Sequence, residues 1–319
     1  MSKIFDATLR PAIMAAAANE RIKESSQRLP VTRRVVERFV PGETESDVLA
    51  AIAASLRDGL SVTIDHLGED TTDEAQAAST VEAYLSLLQS MSVATTTMPG
   101  QLEVSLKLTA LGQTLPRHGR KIAEENAHTI CTAARNAGVL VTVDAEDHRT
   151  VEERLDIVGS LRREFDDLGT VLQAYLRRTE DDCRDAAANG ARIRLCKGAY
   201  AEPATVAFAD RTQIDEAYLR CLRILFKGNG YPMVASHDPM IIGAAGELAT
   251  EFHRLPDSWE HQMLYGIRAD EQRRLAADGR RVRVYIPYGT EWYGYFVRRL
   301  AEKPANLRFF LRSLVPDRG

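Results

Sequence analysis

Residues 171–200 read VLQAYLRRTEDDCRDAAANGARIRLCKGAY. A short β-rich run at 171–175 gives way to a helix-length segment at 179–190, and a second β-rich run follows at 192–196. Strand, helix, strand in that order is a βαβ unit, and such a unit implies parallel strands. The same rhythm extends in both directions. Strands are expected at 61–64, 103–108 and 140–144 before this stretch, and at 233–236, 260–265 and 282–286 after it. Helix-length segments at 72–91, 119–137 and 150–165 fill the earlier gaps. Eight alternations in about 250 residues suit an α/β fold closed as a (β/α)8 TIM-like barrel. An open doubly wound sheet is the competing architecture. The dinucleotide glycine fingerprint is absent: Gly228-Asn229-Gly230 comes nearest, with Met233 where the third glycine would stand. A P-loop is absent too.

The chain divides into an N-terminal helical segment (1–58), the barrel (59–305) and a C-terminal tail (306–319). Pro30 and Val40-Pro41-Gly42 punctuate the first part, and Thr44 is a helix N-cap candidate ahead of Glu45, Asp47 and the apolar run 48–56. The Ala-rich run near the N-terminus, flanked by Asp6, Arg10, Glu20 and Arg21, reads as an amphipathic helix. It is too short to span a bilayer and lacks the charged start of a signal peptide. With 45% hydrophobic and 27% charged residues, the chain has enough apolar surface to exclude a largely disordered protein. A net charge of -4 argues against nucleic-acid binding, which needs a basic footprint. Cys131, Cys183, Cys196 and Cys221 form no C-x-x-C pair, so no zinc or other metal site is expected and the cytoplasm is the natural compartment.

Barrel chemistry gathers at the C-terminal ends of the strands. There the sequence places Lys107, then Asp144-Ala145-Glu146-Asp147-His148, Gln173, Arg194 with Lys197-Gly198-Ala199-Tyr200, Ser236-His237-Asp238, Gln262, Tyr265 and Tyr285. Each has a bland explanation alone: a snorkelling lysine, a helix cap, a satisfied core amide. Their convergence on one rim favours a polar pocket, with Lys107 and Asp144 expected as a buried pair, since a lone buried charge is costly. After the last strand, helical spacing puts Tyr295, Arg299 and Glu302 on one face with Arg298 adjoining. Adjacent guanidiniums suit a bidentate clamp on a carboxylate. A solvated basic helix end is the alternative.

The strings VSLKLTALG, VTVDAEDH, VLQAYLRR, RIRLCKGAY, ASHD, HQMLYG and VRVYIPYG…WYGYFVRRLAE, in this order, resemble the proline dehydrogenase family, and its short monofunctional bacterial members above all. The likeness covers roughly residues 35–305. It implies a barrel enzyme with noncovalent FAD that oxidises L-proline to Δ1-pyrroline-5-carboxylate and passes electrons to a membrane quinone. A separate pyrroline-5-carboxylate dehydrogenase is a prospective partner, and peripheral contact with the inner face of the membrane is left open. By the resemblance, Lys107, Arg298 and Arg299 hold the substrate carboxylate, and Asp144 orders that cluster. Arg194 lies near flavin N5; Ala145, Gln173, Lys197, Gly198, Ala199, Ser236 and His237 contact FAD. Tyr285, Tyr295 and Leu264 wall the ring, and Glu302 steadies the arginine pair. Cys196 and Ser236 stand where many members carry Val and Thr. Two other readings stay open: a Schiff-base aldolase using Lys107 or Lys197, and a proline-responsive regulator, which the want of a basic DNA-binding module disfavours.

Overall fold

A computed structural model of the chain describes residues 36, 38–94 and 98–302, the last five by their backbone alone. Eight strands are present: β1 (Ser61–His66), β2 (Leu102–Leu106), β3 (Leu140–Val143), β4 (Gly169–Gln173), β5 (Arg192–Cys196), β6 (Tyr231–Ala235), β7 (Glu260–Leu264) and β8 (Val282–Tyr288). Neighbours pair in parallel, and β8 returns to pair with β1, so the sheet is a closed barrel. This settles the architecture against the open sheet. The helices are α1 (Glu45–Arg57), α2 (Glu74–Met91), α3 (Gly119–Ala137), α4 (Val151–Leu161), α5 (Thr179–Ala188), α6 (Arg211–Lys227), α7 (Pro239–Glu251), α8 (Ala269–Ala277) and α9 (Trp292–Glu302). Strand boundaries fall close to expectation. Lys107 and Asp144 each stand one residue beyond their strands, as does Ser236.

Strand side chains alternate between the two faces of the wall. Val62, Ile64, Val104, Leu106, Val141 and Val143 face outward into a core with Leu87, Leu88, Ile130 and Ile157 of the helices. Each such side chain, fully buried, contributes about 1.5–3 kcal/mol. The alternate positions face the lumen, and there the residues are polar: Thr63, Glu103, Ser105, Arg192, Arg194, Glu260, Gln262 and Arg283.

Two helices depart from a simple repeat. Thr44 caps α1 as expected: its hydroxyl accepts the Asp47 N–H at 3.2 Å, and Asp47 accepts the Thr44 N–H at 3.0 Å. Val48, Ala51 and Ile52 of α1 pack with Leu60 and Val62 on one side and Val282, Val284 and Ile286 on the other. This helix, which precedes the barrel, therefore seals the β8–β1 seam. In contrast, α9 packs through Trp292, Tyr293, Tyr295, Phe296 and Val297 against Val36, Phe39, Val40 and Leu67, the last directly after β1. It thus lies against the C-terminal rim, and Trp292 Nε1 donates to Glu43 at 3.0 Å. Most of the segment expected at 1–58, and the tail expected at 306–319, lie outside the described residues.

Candidate active site

The lumen carries four carboxylates, Asp65, Glu103, Asp144 and Glu260, against four cations, Lys107, Arg192, Arg194 and Arg283. Glu103 accepts from Arg192 and Arg194, both at 2.8 Å, and from Thr63 at 2.6 Å. Glu260 pairs with Arg283 at 2.6 Å. Burial pushes Glu103 up, but Arg283, Arg192 and Arg194 outweigh it and hold the carboxyl at about 2. Balanced charge is what allows so many ions in a closed space, since an unpaired one would cost several kcal/mol.

Arg194 is the hub where this layer meets the rim. Its Nε donates to Gln262 at 2.6 Å, Nη1 to Asp144 at 2.5 Å and Ser105 at 3.0 Å, and Nη2 to Glu103 at 2.8 Å and Thr63 at 3.5 Å. Those five partners take up all five guanidinium N–H groups. The other carboxylate oxygen of Asp144 accepts the Tyr285 hydroxyl at 2.6 Å. Burial and Asp144 push the Tyr285 phenol far above its ordinary range, so it serves as a donor. Arg194 also lies 5.2 Å from the centre of the Tyr285 ring. Asp144, Arg194 and Tyr285, which the resemblance puts at the carboxylate cluster, beside the flavin and at the ring wall, thus form one bonded unit.

The expected Lys107–Asp144 pair is not what forms. Lys107 Nζ bonds both carboxylate oxygens of Asp65, at 2.5 and 2.6 Å, while Asp144 is engaged by Arg194 and Tyr285. Asp65 is the penultimate residue of β1, one residue past the run expected there. Burial lowers Lys107, but Asp65 and Asp144 outweigh it, and the lysine stays charged. Among the described residues, Asp65 takes two of its three N–H groups.

Around the rim, Lys197 bridges Asp215 of α6 at 2.5 Å and Asp238 at 3.0 Å. Asp238 donates its own N–H to Ser236 at 3.1 Å, and His237 Nε2 accepts the Leu264 N–H at 2.9 Å. Lys197, Ser236, His237 and Leu264 are therefore joined across β5 to β7 with Asp238, and Asp215 is a member not expected. Gly198 has φ +110°, and a Cβ there would lie 2.2 Å from the Tyr175 ring. Gln173 is buried, and its Oε1 has no hydrogen-bond partner among the described residues. Ala145 and Ala199 stand in the neighbouring loops, partly exposed. Tyr295 is buried in the cluster against which Tyr285 packs. The helix α9 carries Arg298, Arg299 and Glu302, whose side chains lie outside the described residues.

A cleft of about 410 Å³ opens next to this cluster. Glu69, Thr109, Glu146 and Tyr200 line it, while Lys107, Asp144 and Arg194 do not, so it adjoins the site without containing it. Glu146 accepts the Thr109 N–H at 3.2 Å and its hydroxyl as well, and burial raises its carboxyl to about 7. Among the described residues there is no cluster of acids, histidines or cysteines that could hold a metal ion.

Paired buried ions under the C-terminal rim of a closed parallel barrel are the arrangement of a (β/α)8 enzyme. Residues 48–312 match the sequence model of the family described as Proline dehydrogenase, and the chain belongs to that family. It is 39% identical over 287 residues to Proline dehydrogenase 1 of Bacillus subtilis, covering 89% of this chain and 92% of that one. Identity to the Proline dehydrogenase of Deinococcus radiodurans is 35% over 314 residues, 98% and 99% of the two chains. The chain thus matches both relatives over nearly their whole length. The fold matches a crystal structure of proline utilization A from Bdellovibrio bacteriovorus inactivated by N-propargylglycine. The TM-score is 0.81 at 22% identity, over 97% of this chain and 40% of that one.

Proposed function

We propose that the chain oxidises L-proline to Δ1-pyrroline-5-carboxylate with a noncovalent FAD. The observation that carries this reading is the bonded unit of Asp144, Arg194 and Tyr285 at the barrel rim, in a member of the proline dehydrogenase family. The residues at hand fit the cofactor. Gln173 has a buried oxygen in want of a donor, Gly198 allows close approach of backbone, and Lys197 brings a cation to the same rim. Gln173, Lys197, Gly198, Ala199, Ala145, Ser236 and His237 would hold it. FAD supplies, when bound, an acceptor for a hydride.

The chain's own residues do the rest. Lys107, with Arg298 and Arg299 from α9, grips the carboxylate, which fixes the ring in one orientation. Tyr285, Tyr295 and Leu264 enclose the ring and keep water from its far edge. The carbon beside nitrogen loses its hydrogen with both bonding electrons, the nitrogen lone pair forms the new C=N bond, and the ammonium gives up its proton beforehand. Arg194 has its donors engaged, so it acts through charge. Held by Asp144 and Glu103, it favours negative charge gathering in the site.

Electrons would leave to a membrane quinone, and product would pass to a pyrroline-5-carboxylate dehydrogenase. Among the described residues no helix is long and apolar enough to cross a membrane. The test is direct. Purified protein should be yellow, release its colour on acid precipitation, and bleach anaerobically on adding L-proline. A colourless protein that forms a borohydride-trapped adduct through Lys107 or Lys197 would replace this reading with the aldolase one.

A further inference from the structure

Glu202 belongs to the loop after β5, two residues beyond Tyr200, and its side chain is only 3% exposed. Its carboxylate is surrounded by donors from elsewhere. Oε1 accepts the His148 backbone N–H at 2.9 Å and the Tyr175 hydroxyl at 3.3 Å, and Oε2 is bonded to His148 Nδ1. His148 opens the 3-10 turn that closes the loop after β3, the loop that starts with Asp144 and Ala145. Tyr175 follows β4. Its N–H donates to the Lys197 carbonyl at 2.9 Å, its own carbonyl accepts the Phe208 N–H at 2.8 Å, and its ring fills the space that a Cβ on Gly198 would need. Burial, then Glu202, push the Tyr175 phenol far up, so it remains a donor.

We propose that Glu202 is a positioning residue, whose carboxylate clasps the loops after β3, β4 and β5 together and so fixes the turn at 197–199 for the cofactor. Tyr175 is the wedge beneath Gly198, and Glu202 holds the wedge by its hydroxyl. The same carboxylate ties in the loop that presents Asp144 and Ala145. Two faces of the cofactor site therefore share one anchor, which itself contacts neither substrate nor cofactor. The proposal rests on the FAD reading above.

The test measures the FAD dissociation constant, the visible flavin spectrum and hydrogen exchange at residues 197–200, on the holoenzyme and its variants. Glu202→Ala strands a buried hydroxyl and a backbone N–H. It should weaken FAD binding about ten-fold or more, shift the visible band and speed exchange at 197–200. Glu202→Gln keeps an oxygen for both donors and should stay within about three-fold of wild type. Tyr175→Phe removes one bond but keeps the wedge, and should fall between the two. It carries the comparison if the alanine variant does not fold. Arg254→Met is the control for plain loss of stability. Arg254 pins the carbonyls of Leu225, Phe226, Gly228 and Gly230 ahead of β6, at the opposite end of the barrel. It should lower the melting temperature and leave FAD affinity and exchange at 197–200 alone. Wild-type FAD affinity and exchange in Glu202→Ala would overturn the clasp, as would equal changes in Arg254→Met. A wild-type protein that binds no flavin would instead overturn the cofactor reading, and the exchange comparison would still judge the clasp.

Discussion

Replacing Glu103 with Gln probes the charge balance on which the site stands. Glu103 is fully buried and holds Arg192, Arg194 and Thr63 at once. Its carboxyl falls from an ordinary 4.5 to about 2, because three arginines outweigh the burial penalty. That drop is worth about 3 kcal/mol of stability at neutral pH. An independent route gives a similar size: removing one partner of a buried ion pair costs about 3–5 kcal/mol. Glutamine keeps the shape and one acceptor, so the lower figure applies. In a barrel of this size each kcal/mol moves the melting temperature by about 2–4 °C, and Glu103→Gln should melt about 6–12 °C lower at pH 7. The pH dependence has a definite sign. A carboxyl lowered on folding stabilises above its unfolded value, and that contribution is lost as pH falls from about 4.5 through about 2. Wild-type stability should fall across this range more steeply than that of the variant. Thermal unfolding followed by circular dichroism at pH 7, with urea unfolding at steps between about pH 3 and 6, measures both. An unchanged melting temperature together with parallel pH curves would refute the balanced-lumen argument.

Glu146 should behave in the opposite sense. Burial raises it to about 7, so folding takes up a proton and wild-type stability falls as pH rises from about 4.5 to about 7. Glu146→Gln should match wild type near pH 4.5 and exceed it at pH 8, and a melting curve that shows no such divergence counts against a neutral carboxyl at this position. Arg298→Met and Arg299→Met should each weaken proline use about ten- to a hundred-fold in KM or kcat/KM with flavin retained, as loss of a charged hydrogen bond predicts. Wild-type kinetics in both would return them to a solvated helix end. Tyr285→Ser removes a bond to Asp144 and opens the ring wall, so kcat/KM for proline should drop about ten-fold or more while that for hydroxyproline changes less. A substrate ratio that stays fixed would place Tyr285 away from the ring.

The barrel was legible because the strands announce themselves by period. Runs such as RIRLC and VRVYIPY recur between helix-length segments, and their ends were read to within a few residues. The rim residues were legible for the same reason, since strand ends are where such a fold exposes side chains. The partners were not. Arg194 meets Ser105, Glu103 and Thr63 across gaps of 89, 91 and 131 residues, and nothing local encodes those meetings. The error at Lys107 shows how this works. Adjacency of strands suggested Asp144, but Asp144 had two stronger claimants and Asp65 on the other flanking strand was free to take the lysine. The strand runs two residues past the expected end at 64, and Asp65 lies in that extension. The deeper ion layer has a usable signal: polar residues two apart in EVSLK, RIR, EHQ and RVY mark the inward face of four strands.

The sealing of the β8–β1 seam by α1 separates two tasks that a regular barrel assigns to one segment. Where the helix after the last strand closes the wall, any change that suits a new ligand at the mouth also threatens closure. In this chain the wall is finished by residues that come before the first strand, and α9 is left to cover the mouth. Variation in the covering helix can then accumulate while the cylinder beneath folds as before. Freedom to vary at the mouth is thus a result of connectivity.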